Sequence, residues 1–536
     1  MKKLIALCLA LCLLLTGCAP LDFGGYWGNL ISTITGVQDF SGMQYTRPDM
    51  AAMQADADAL CAQATTETDL DALLEELYAF YNLYDSFSTA YSLALIHYYQ
   101  DLTDSYWEAE YTFCMEHAAE ADAALDKLYR ALAKSPLRST LETEEYFGAN
   151  YFDYYDGESM YDETLLELME QESQTLSRYY AVSAESAGLD PYSDAYLSEF
   201  YPELADILLD LVQVRQQIAI HCGFASYTEF AYDFYYYRDY TPQQATAYLA
   251  DIRAQLVPLY TDLLESDFWD NSVSAVSQEE IFSYLSTMAT SMGGLVEDAF
   301  RTMKKGHLYD ISYGENKYNV SFEVYLPSYY VPFVFVNPMG NAFDQLTFAH
   351  EFGHFCCDYV SYGSVAGVDV AEIFSQGMEY LSLCYADGGD ELTKLKLADC
   401  LCLYVEQAAL ASFEQQLYDL YDTTLTAQHM ENLYAEICNA YGISGENWDS
   451  RSYVTIGHYF TNPMYLISYV VSNDAALQLY QLELEQRGKG LACLESNLGT
   501  TYGQFLAFLD STGLQSPFDY RRLTQVKELL QQTLCP

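Results

Sequence analysis

The sequence is poor in basic residues. Its 536 residues include 23 Lys and Arg against 77 Asp and Glu, which gives a formal net charge of −54 at pH 7. Proteins bind nucleic acids largely through Lys and Arg that displace counterions from phosphates, so this balance argues against a nucleic-acid partner. Two interpretations of the charge stay open. It favours solubility in a salty or acidic habitat, and it could attract cationic ligands.

The cysteines lack the spacing of a zinc ribbon or a redox pair. Cys356-Cys357 and the pair Cys400 and Cys402 do not form a CxxC motif. The residues downstream of Cys18 contain an odd number of cysteines, which cannot all pair within one chain. Most are therefore predicted to be buried small hydrophobic residues, and no disulfide is assigned.

Long hydrophobic runs are missing beyond the N-terminus. Leu4–Leu15 is continuously apolar and follows Lys2 and Lys3, which is typical of a signal peptide and too short to span a bilayer. The next residues, up to Cys18, resemble a bacterial lipobox. We expect a signal peptide over 1–17 and a lipid anchor on Cys18, which places the protein outside the cytoplasm on the bacterial membrane. An ordinary signal peptide with a coincidental cysteine is the alternative.

Helical periodicity dominates the rest of the chain. A Gly-, Ser- and Thr-rich stretch over 18–48 reads as a tether, and Pro191 and Pro202 are the strongest punctuation after it. A chain of this length predicts two lobes, a helical N-terminal lobe over 49–203 and a second domain over 204–536. Apolar residues at three- and four-residue spacings predict helices over Asp69–Tyr84, Ala118–Leu132, Thr164–Tyr180 and Leu204–Ile220.

One segment predicts strands. Tyr318–Tyr325 alternates between polar and apolar residues, and Val331–Val336 is a short β-branched and aromatic run. Pro332 cannot donate to a ladder, so the second run is expected at a sheet edge. A free edge could bind an extended peptide by adding it as a further strand.

The strongest motif is His350-Glu351-Phe352-Gly353-His354. Asp344 can cap a helix through this segment, and residues four apart lie on one helical face. Both imidazoles could therefore bind one Zn²⁺, with Glu351 beside them to take a proton from metal-activated water. The alternative is an amphipathic helix with two hydrogen-bonded histidines and no metal.

Two acids on the following predicted helix complete the constellation. Glu372 and Glu379 are seven residues apart and share one face of an otherwise apolar helix. A buried carboxylate is costly unless it is paired or bound to a metal. Glu372 is the predicted third ligand, and Glu379 could orient an imidazole. For Glu379, a solvated helical acid is an equal alternative.

These residues resemble the zinc metallopeptidase family of oligoendopeptidase F, thimet oligopeptidase and neurolysin. The resemblance rests on the HEFGH block and on Glu372–Gln376, which is similar to the family's E-x-x-S-Q block. It extends to Cys222–Glu229, Pro332–Asn337 and His458–Tyr469, and covers about Leu204 to Val471. It implies a mainly α fold with two lobes around a deep channel, a small β-sheet beside the metal helix, and hydrolysis of short peptides.

The resemblance also implies roles for individual residues. His350, His354 and Glu372 would bind one Zn²⁺ and Glu351 would be the general base. His458 and Tyr465 would bind the substrate or the oxyanion. The spacing from His458 to Tyr465 departs from the family by one residue, so Tyr469 is an alternative to Tyr465.

Two competing functions follow from the same residues. The protein could be a catalytically inactive peptide-binding lipoprotein, since many lipoproteins capture nutrients. It could also be a carboxypeptidase or dipeptidyl-carboxypeptidase on a similar scaffold, which differs in how the termini of the substrate are held.

Overall fold

The computed structural model describes residues 38–143, 146–157, 159, 161–186, 188–269, 274–363, 367–420, 425–445, 448–499 and 503–534. The predicted signal peptide, Cys18 and most of the predicted tether lie outside the described residues. Helices dominate the fold, as the sequence predicts. Within the described part of the chain, none of the helices combines the length and apolar character needed to span a membrane.

Long helices form the first part of the chain, and acidic residues begin several of them. The side chains of Asp49, Asp69, Asp104 and Asp162 accept hydrogen bonds from the first turns of the helices that follow. The four predicted helical segments are confirmed, and each helix is longer than predicted. The helices are α1 (Met50–Ala64), α2 (Leu70–Gln100), α3 (Ser105–Ala133), α4 (Arg138–Leu141), α5 (Glu163–Glu185) and α6 (Asp194–His221).

Pro202 does not interrupt the helical pattern, so its interpretation as punctuation in the chain is wrong. It lies inside α6, and the predicted boundary between residues 203 and 204 therefore falls within a continuous helix. Proline removes a helical hydrogen bond, but buried side chains on both sides of it, Phe200 and Leu204 among them, keep the helix packed. The division into a lobe over 49–203 and a domain over 204–536 stays a prediction.

The second part of the chain is also mainly helical. Short 3₁₀ turns and one π turn, over Ala231–Tyr235, interrupt it. The helices are α7 (Tyr227–Phe230), α8 (Pro242–Leu264), α9 (Gln278–Met292), α10 (Gly294–Lys305), α11 (Phe343–Ser361), α12 (Val368–Tyr385), α13 (Gly389–Asp419), α14 (Ala427–Ala440), α15 (Gly457–Thr461), α16 (Leu466–Glu485), α17 (Lys489–Glu495), α18 (Phe505–Thr512) and α19 (Tyr520–Leu534).

A three-stranded sheet has β1 (Tyr309–Asp310), β2 (Ser321–Leu326) and β3 (Val331–Val336) in the order β1-β3-β2. β3 pairs parallel to β1 and antiparallel to β2. The expectation that Pro332 marks an edge strand is wrong, because β3 is central. The N–H of Val334 donates towards β1, to the carbonyl of Leu308. Pro332, two residues earlier, faces the same side, where β1 does not extend, so its missing N–H costs no ladder bond.

The sheet and α11 pack together, and α12 lies between α11 and α16. Gly353 allows the close approach of α11 and α12, because a Cβ there would lie 2.6 Å from the Cα of Ser375 and 2.8 Å from the carbonyl oxygen of Phe374. The ten described cysteines are free thiols, buried or half-buried. The helix with the HEFGH motif is thus held tightly between a sheet and a second helix.

Candidate metal centre and substrate cavity

The loop before α11 is fixed by Asp344. The sequence predicts this residue as a helix cap, but α11 begins at Phe343 and Asp344 lies in its first turn. Its buried carboxylate accepts hydrogen bonds from the N–H groups of Met339, Gly340 and Asn341, at 2.9, 2.6 and 2.9 Å. The carboxylate accepts hydrogen bonds from the backbone N–H groups of the turn before the helix. Asp344 therefore stabilises this turn from a position inside the helix and not from the cap position.

His350, His354 and Glu372 converge as the sequence predicts. One ligand atom from each lies within 4.8 Å of the others. The Nε2 atoms of His350 and His354 lie 3.4 and 3.7 Å from the Glu372 carboxylate oxygens. Ligand atoms around tetrahedral Zn²⁺ are about 3.3 Å apart for bonds of about 2.0–2.1 Å. The three side chains therefore fit a zinc site with a fourth position for water or substrate.

Glu372 is almost completely buried, with 1% of its surface exposed. The hydroxyl of Ser375 donates to its Oε2 at 3.0 Å, and the hydroxyl of Tyr465 donates to its Oε1 at 2.5 Å. Burial raises the pKa of Glu372, while the nearby charge of His350 lowers it. These donors hold the carboxylate in one orientation, and a bound metal would compensate its burial.

Glu379 orients His350 rather than facing solvent. Its Oε1 lies 2.7 Å from His350 Nδ1, and its Oε2 lies 2.6 Å from the ammonium of Lys396. Burial raises the pKa of Glu379, but the charges and hydrogen bonds of Lys396 and His350 together outweigh burial, and the pKa is lowered. An ionised carboxylate only accepts, so Nδ1 carries the proton and Nε2 is left to bind a metal.

Lys396 is a functional residue that sequence reasoning missed. It lies on α13, is fully buried, and also donates to Asp399 at 2.9 Å. The signal in the sequence is weak, because Lys394 and Lys396 both lie in a predicted helix and nothing there shows which lysine is buried or what it contacts.

Glu351 lies beside the ligands and is 5% exposed. Burial raises its pKa to about 8, the charge of His350 opposes this, and the charges of Glu372 and Glu379 add to it. Burial alone would lower the pKa of His350, but its hydrogen bond to Glu379 and the charge of Glu372 raise it to about 9. A carboxyl whose pKa lies near neutrality can both accept and return a proton.

His458 and both candidate tyrosines line the same region. His458 Nε2 and the Tyr469 hydroxyl share a hydrogen bond of 3.1 Å, while the Tyr465 hydroxyl is bonded to Glu372. Burial lowers the pKa of His458 to about 4, so its imidazole is neutral at pH 7. Both tyrosines therefore lie at the site, but they have different partners. Tyr465 contacts the candidate ligand Glu372, and Tyr469 contacts His458.

A cavity of about 530 Å³ adjoins the candidate metal centre. Its wall combines helices α2, α3 and α5 with β2, α11, α12 and α16, so it lies between the two halves of the chain. The volume is within the usual range of ligand sites. Two acids on its wall, Glu323 and Asp358, were not predicted; the alternation in Tyr318–Tyr325 is the one signal that could have placed Glu323 on the same face as Ser321.

The N-terminal part of the chain matches a known domain family. Residues 40–158 match the Peptidase M3 N-terminal domain. Over these residues the chain resembles M3 peptidases. None of the curated proteins matches the sequence. The resemblance to the oligoendopeptidase family is thereby confirmed, as is the mainly α fold.

Three solved structures share the fold over nearly their whole length. A candidate oligoendopeptidase F has a TM-score of 0.83 at 22% identity, covering 93% of this chain and 98% of that one. PZ peptidase A, solved with an inhibitor, has a TM-score of 0.81 at 20% identity, with 92% and 99% covered. A candidate oligoendopeptidase F from Bacillus anthracis str. Ames has a TM-score of 0.80 at 20% identity, with 93% and 98% covered.

Proposed function

We propose that this M3-family chain is a zinc-dependent oligopeptidase that hydrolyses peptide bonds in short peptides outside a bacterial cell. The observation that carries the proposal is the convergence of His350, His354 and Glu372 beside Glu351, at the wall of a cavity. The M3 N-terminal domain and the oligoendopeptidase F fold support the same class of reaction. One Zn²⁺ per chain is the proposed cofactor, and short peptides are the proposed substrates.

Each side chain at the site has a defined task in this reaction. Zn²⁺ bound by the three ligands would polarise the scissile carbonyl and make water a better nucleophile. Glu351 takes the proton of the attacking water and passes it to the leaving amine. Neutral His458 and the hydroxyl of Tyr465 or Tyr469 would stabilise the oxyanion, which is commonly worth a few kcal/mol.

The free edge of β2 supports the binding of an extended peptide. β2 pairs with β3 along one side, and its residues Ser321, Phe322 and Glu323 line the cavity. A peptide added to this edge would use backbone hydrogen bonds that do not depend on its sequence. The edge strand that the sequence placed at β3 is therefore provided by β2.

Glu351→Gln tests the proposal. The variant is expected to keep zinc, measured by metal analysis, and to lose roughly 10²–10⁴-fold in kcat, measured with a fluorogenic peptide. The matched control is Glu483→Gln, at another buried glutamate, on α16 away from the cavity wall. Full activity in zinc-loaded Glu351→Gln would refute the role of the base.

The same assay separates the competing functions. Wild-type protein that binds zinc but cleaves no peptide, with or without chelator, would favour the peptide-binding lipoprotein. Product masses from one long peptide distinguish internal cleavage from removal of terminal residues, as a carboxypeptidase or dipeptidyl-carboxypeptidase would perform.

A further inference from the structure

Glu323 and Asp358 are two acids in the cavity wall that the proposed reaction does not use. Glu323 lies on β2, and Asp358 lies on α11 one turn after His354. Asp358 is 8% exposed. Within the described part of the chain, neither Glu323 Oε1 nor Asp358 Oδ2 has a hydrogen-bond partner. Buried carboxylate oxygens without a hydrogen-bond partner are rare, because they cost folding free energy. Their presence here indicates that a ligand binds them.

The two carboxyls affect each other. Burial raises the pKa of Glu323, and the negative charges of Asp358 and then Glu351 raise it further. Burial raises the pKa of Asp358 to about 7. A positive charge placed between them would reverse these effects, because an opposite charge favours the ionised form of a carboxyl.

The cavity wall does not supply that positive charge. Of the described residues that line it, Lys317 is the one lysine or arginine. Its ammonium is already bonded to Asp310 Oδ1 at 3.0 Å, to the carbonyl of Ser312 at 2.8 Å and to that of Val336 at 2.7 Å. All three of its donors are used, so the described residues of the cavity wall offer Glu323 and Asp358 no free lysine or arginine.

The number of carboxyl groups at this place favours an organic cation over a metal ion. Among the described residues, His350, His354 and Glu372 are the one set of three or more ligating side chains close enough to hold a metal. Glu323 and Asp358 do not belong to such a set. Two carboxylates suit the several N–H donors of a guanidinium or ammonium group, which carries its own geometry and needs no third ligand.

We propose that Glu323 and Asp358 form a subsite that binds the Lys or Arg side chain of a peptide substrate close to the scissile bond. The subsite deepens the proposed peptidase function and rests on it. A peptide added to the edge of β2 runs past Glu323, and Glu323, Asp358 and Glu351 line the same cavity, so the subsite lies near the reacting carbonyl. The net charge of −54 would add a weaker, long-range attraction for the same peptides.

The test uses full-length, zinc-loaded protein and two fluorogenic peptides that differ at one position, Lys in one and norleucine in the other. The position is moved in turn along the three residues on each side of the cleaved bond. Wild-type protein is expected to prefer Lys at one of these positions. Glu323→Gln and Asp358→Asn are each expected to reduce the kcat/KM ratio of Lys to norleucine by roughly tenfold to a hundredfold at that position.

Glu414→Gln is the matched control. Glu414 is 2% exposed, burial raises its pKa to about 8, and its Oε1 has no partner, but it does not line the cavity. Its substitution should leave the ratio unchanged. An unchanged ratio in folded Glu323→Gln and Asp358→Asn would overturn the proposal, because a pair that only shares a proton does not recognise the substrate.

Two measurements do not depend on the substituted proteins or on turnover. Argininamide should inhibit cleavage of the norleucine peptide by wild-type protein more strongly than norleucinamide, and equal inhibition would contradict the subsite. Calorimetry with zinc-loaded Glu351→Gln should show tighter binding of the Lys peptide. If wild-type protein cleaves neither peptide, the peptidase function fails while this binding preference still tests the subsite. Thermal stabilisation by Ca²⁺ or Mg²⁺ that Glu323→Gln abolishes would instead identify a metal-ion site and overturn the proposal.

Discussion

At the scale of single residues, the candidate metal centre depends on a chain of charges behind His350. Lys396 holds Glu379, and Glu379 holds the Nδ1 proton of His350, which turns Nε2 towards His354 and Glu372. Each member is buried or partly buried, so each interaction acts in a medium less polar than water. Without this chain, the imidazole could rotate, or its neutral form could carry its proton on Nε2, the nitrogen that the metal needs.

Glu379→Gln is expected to weaken zinc binding by roughly 10- to 100-fold, because a neutral amide holds the imidazole less firmly. Competition against a chromophoric chelator measures the affinity. Glu483→Gln removes a buried carboxylate that accepts from Tyr385 and from backbone N–H groups, and should leave the affinity unchanged. A variant that loses thermal stability but binds zinc as tightly as the wild type would show that Glu379 is structural only.

At the scale of elements, the close contact of α11 with α12 sets the distance between the two histidines and Glu372. The contact passes through Gly353, the glycine of the HEFGH motif, whose missing side chain leaves room for the backbone of Ser375 and Phe374. Helix geometry explains why His350 and His354 share a face, but only this contact places a ligand from α12 within reach.

Gly353→Ala is expected to destabilise the protein by about 1–3 kcal/mol, although alanine favours a helix over glycine by about 1 kcal/mol. The added Cβ would press against backbone atoms that cannot rotate away. The added Cβ would push α12 away from α11 and so move Glu372 away from the two histidines. The affinity for zinc should therefore fall as well. Thermal unfolding with chelator and zinc titration measure the two effects.

Gly377→Ala is the control for this substitution. Its Cβ would meet the tips of the Leu479 and Leu494 side chains, at 2.9 and 3.2 Å, and these can move. Both effects should therefore be smaller than in Gly353→Ala. Equal stability and equal zinc affinity in Gly353→Ala and wild-type protein would contradict this account of the helix contact.

At the scale of the whole molecule, the two halves of the chain enclose the cavity, and the predicted signal peptide and lipid anchor would decide where the protein works. Residues of α2 and α5 face the candidate metal centre across the cavity, which supports a preference for short, unfolded peptides. A lipid on Cys18 would hold this cavity outside the cell, where such peptides occur.

Cys18→Ser is expected to release the protein from the membrane, because a serine cannot carry the thioether-linked lipid that makes a stable anchor. Cell fractionation and immunoblotting measure the distribution. Cys61→Ser, at a described free thiol far along the chain from the lipobox, is the control and should stay in the membrane fraction. Membrane-bound Cys18→Ser would exclude lipidation of Cys18 as the anchor.

Local pattern and the family resemblance together predicted much of the site. His350, Glu351 and His354 follow from the period of one helix, and Glu372 and Glu379 from the next, so their relative positions depend on backbone geometry within a few turns. The helical segments and both main strands were also predicted, because their hydrophobic patterns are short-range. The errors at Asp344 and Pro202 concern where a helix begins and ends, which neighbouring loops and buried contacts decide.

The sequence therefore predicts the kind of chemistry: a helix with two histidines and a candidate base, a second helix with a candidate carboxylate ligand, and a mainly α fold. The packing of the elements shows the rest: β3 is central and β2 is an edge strand, Lys396 contacts Glu379, and Glu323 and Asp358 line the same cavity. These arrangements join residues far apart in the chain. They depend on how separate elements pack and on how each buried charge is compensated, which no local period encodes.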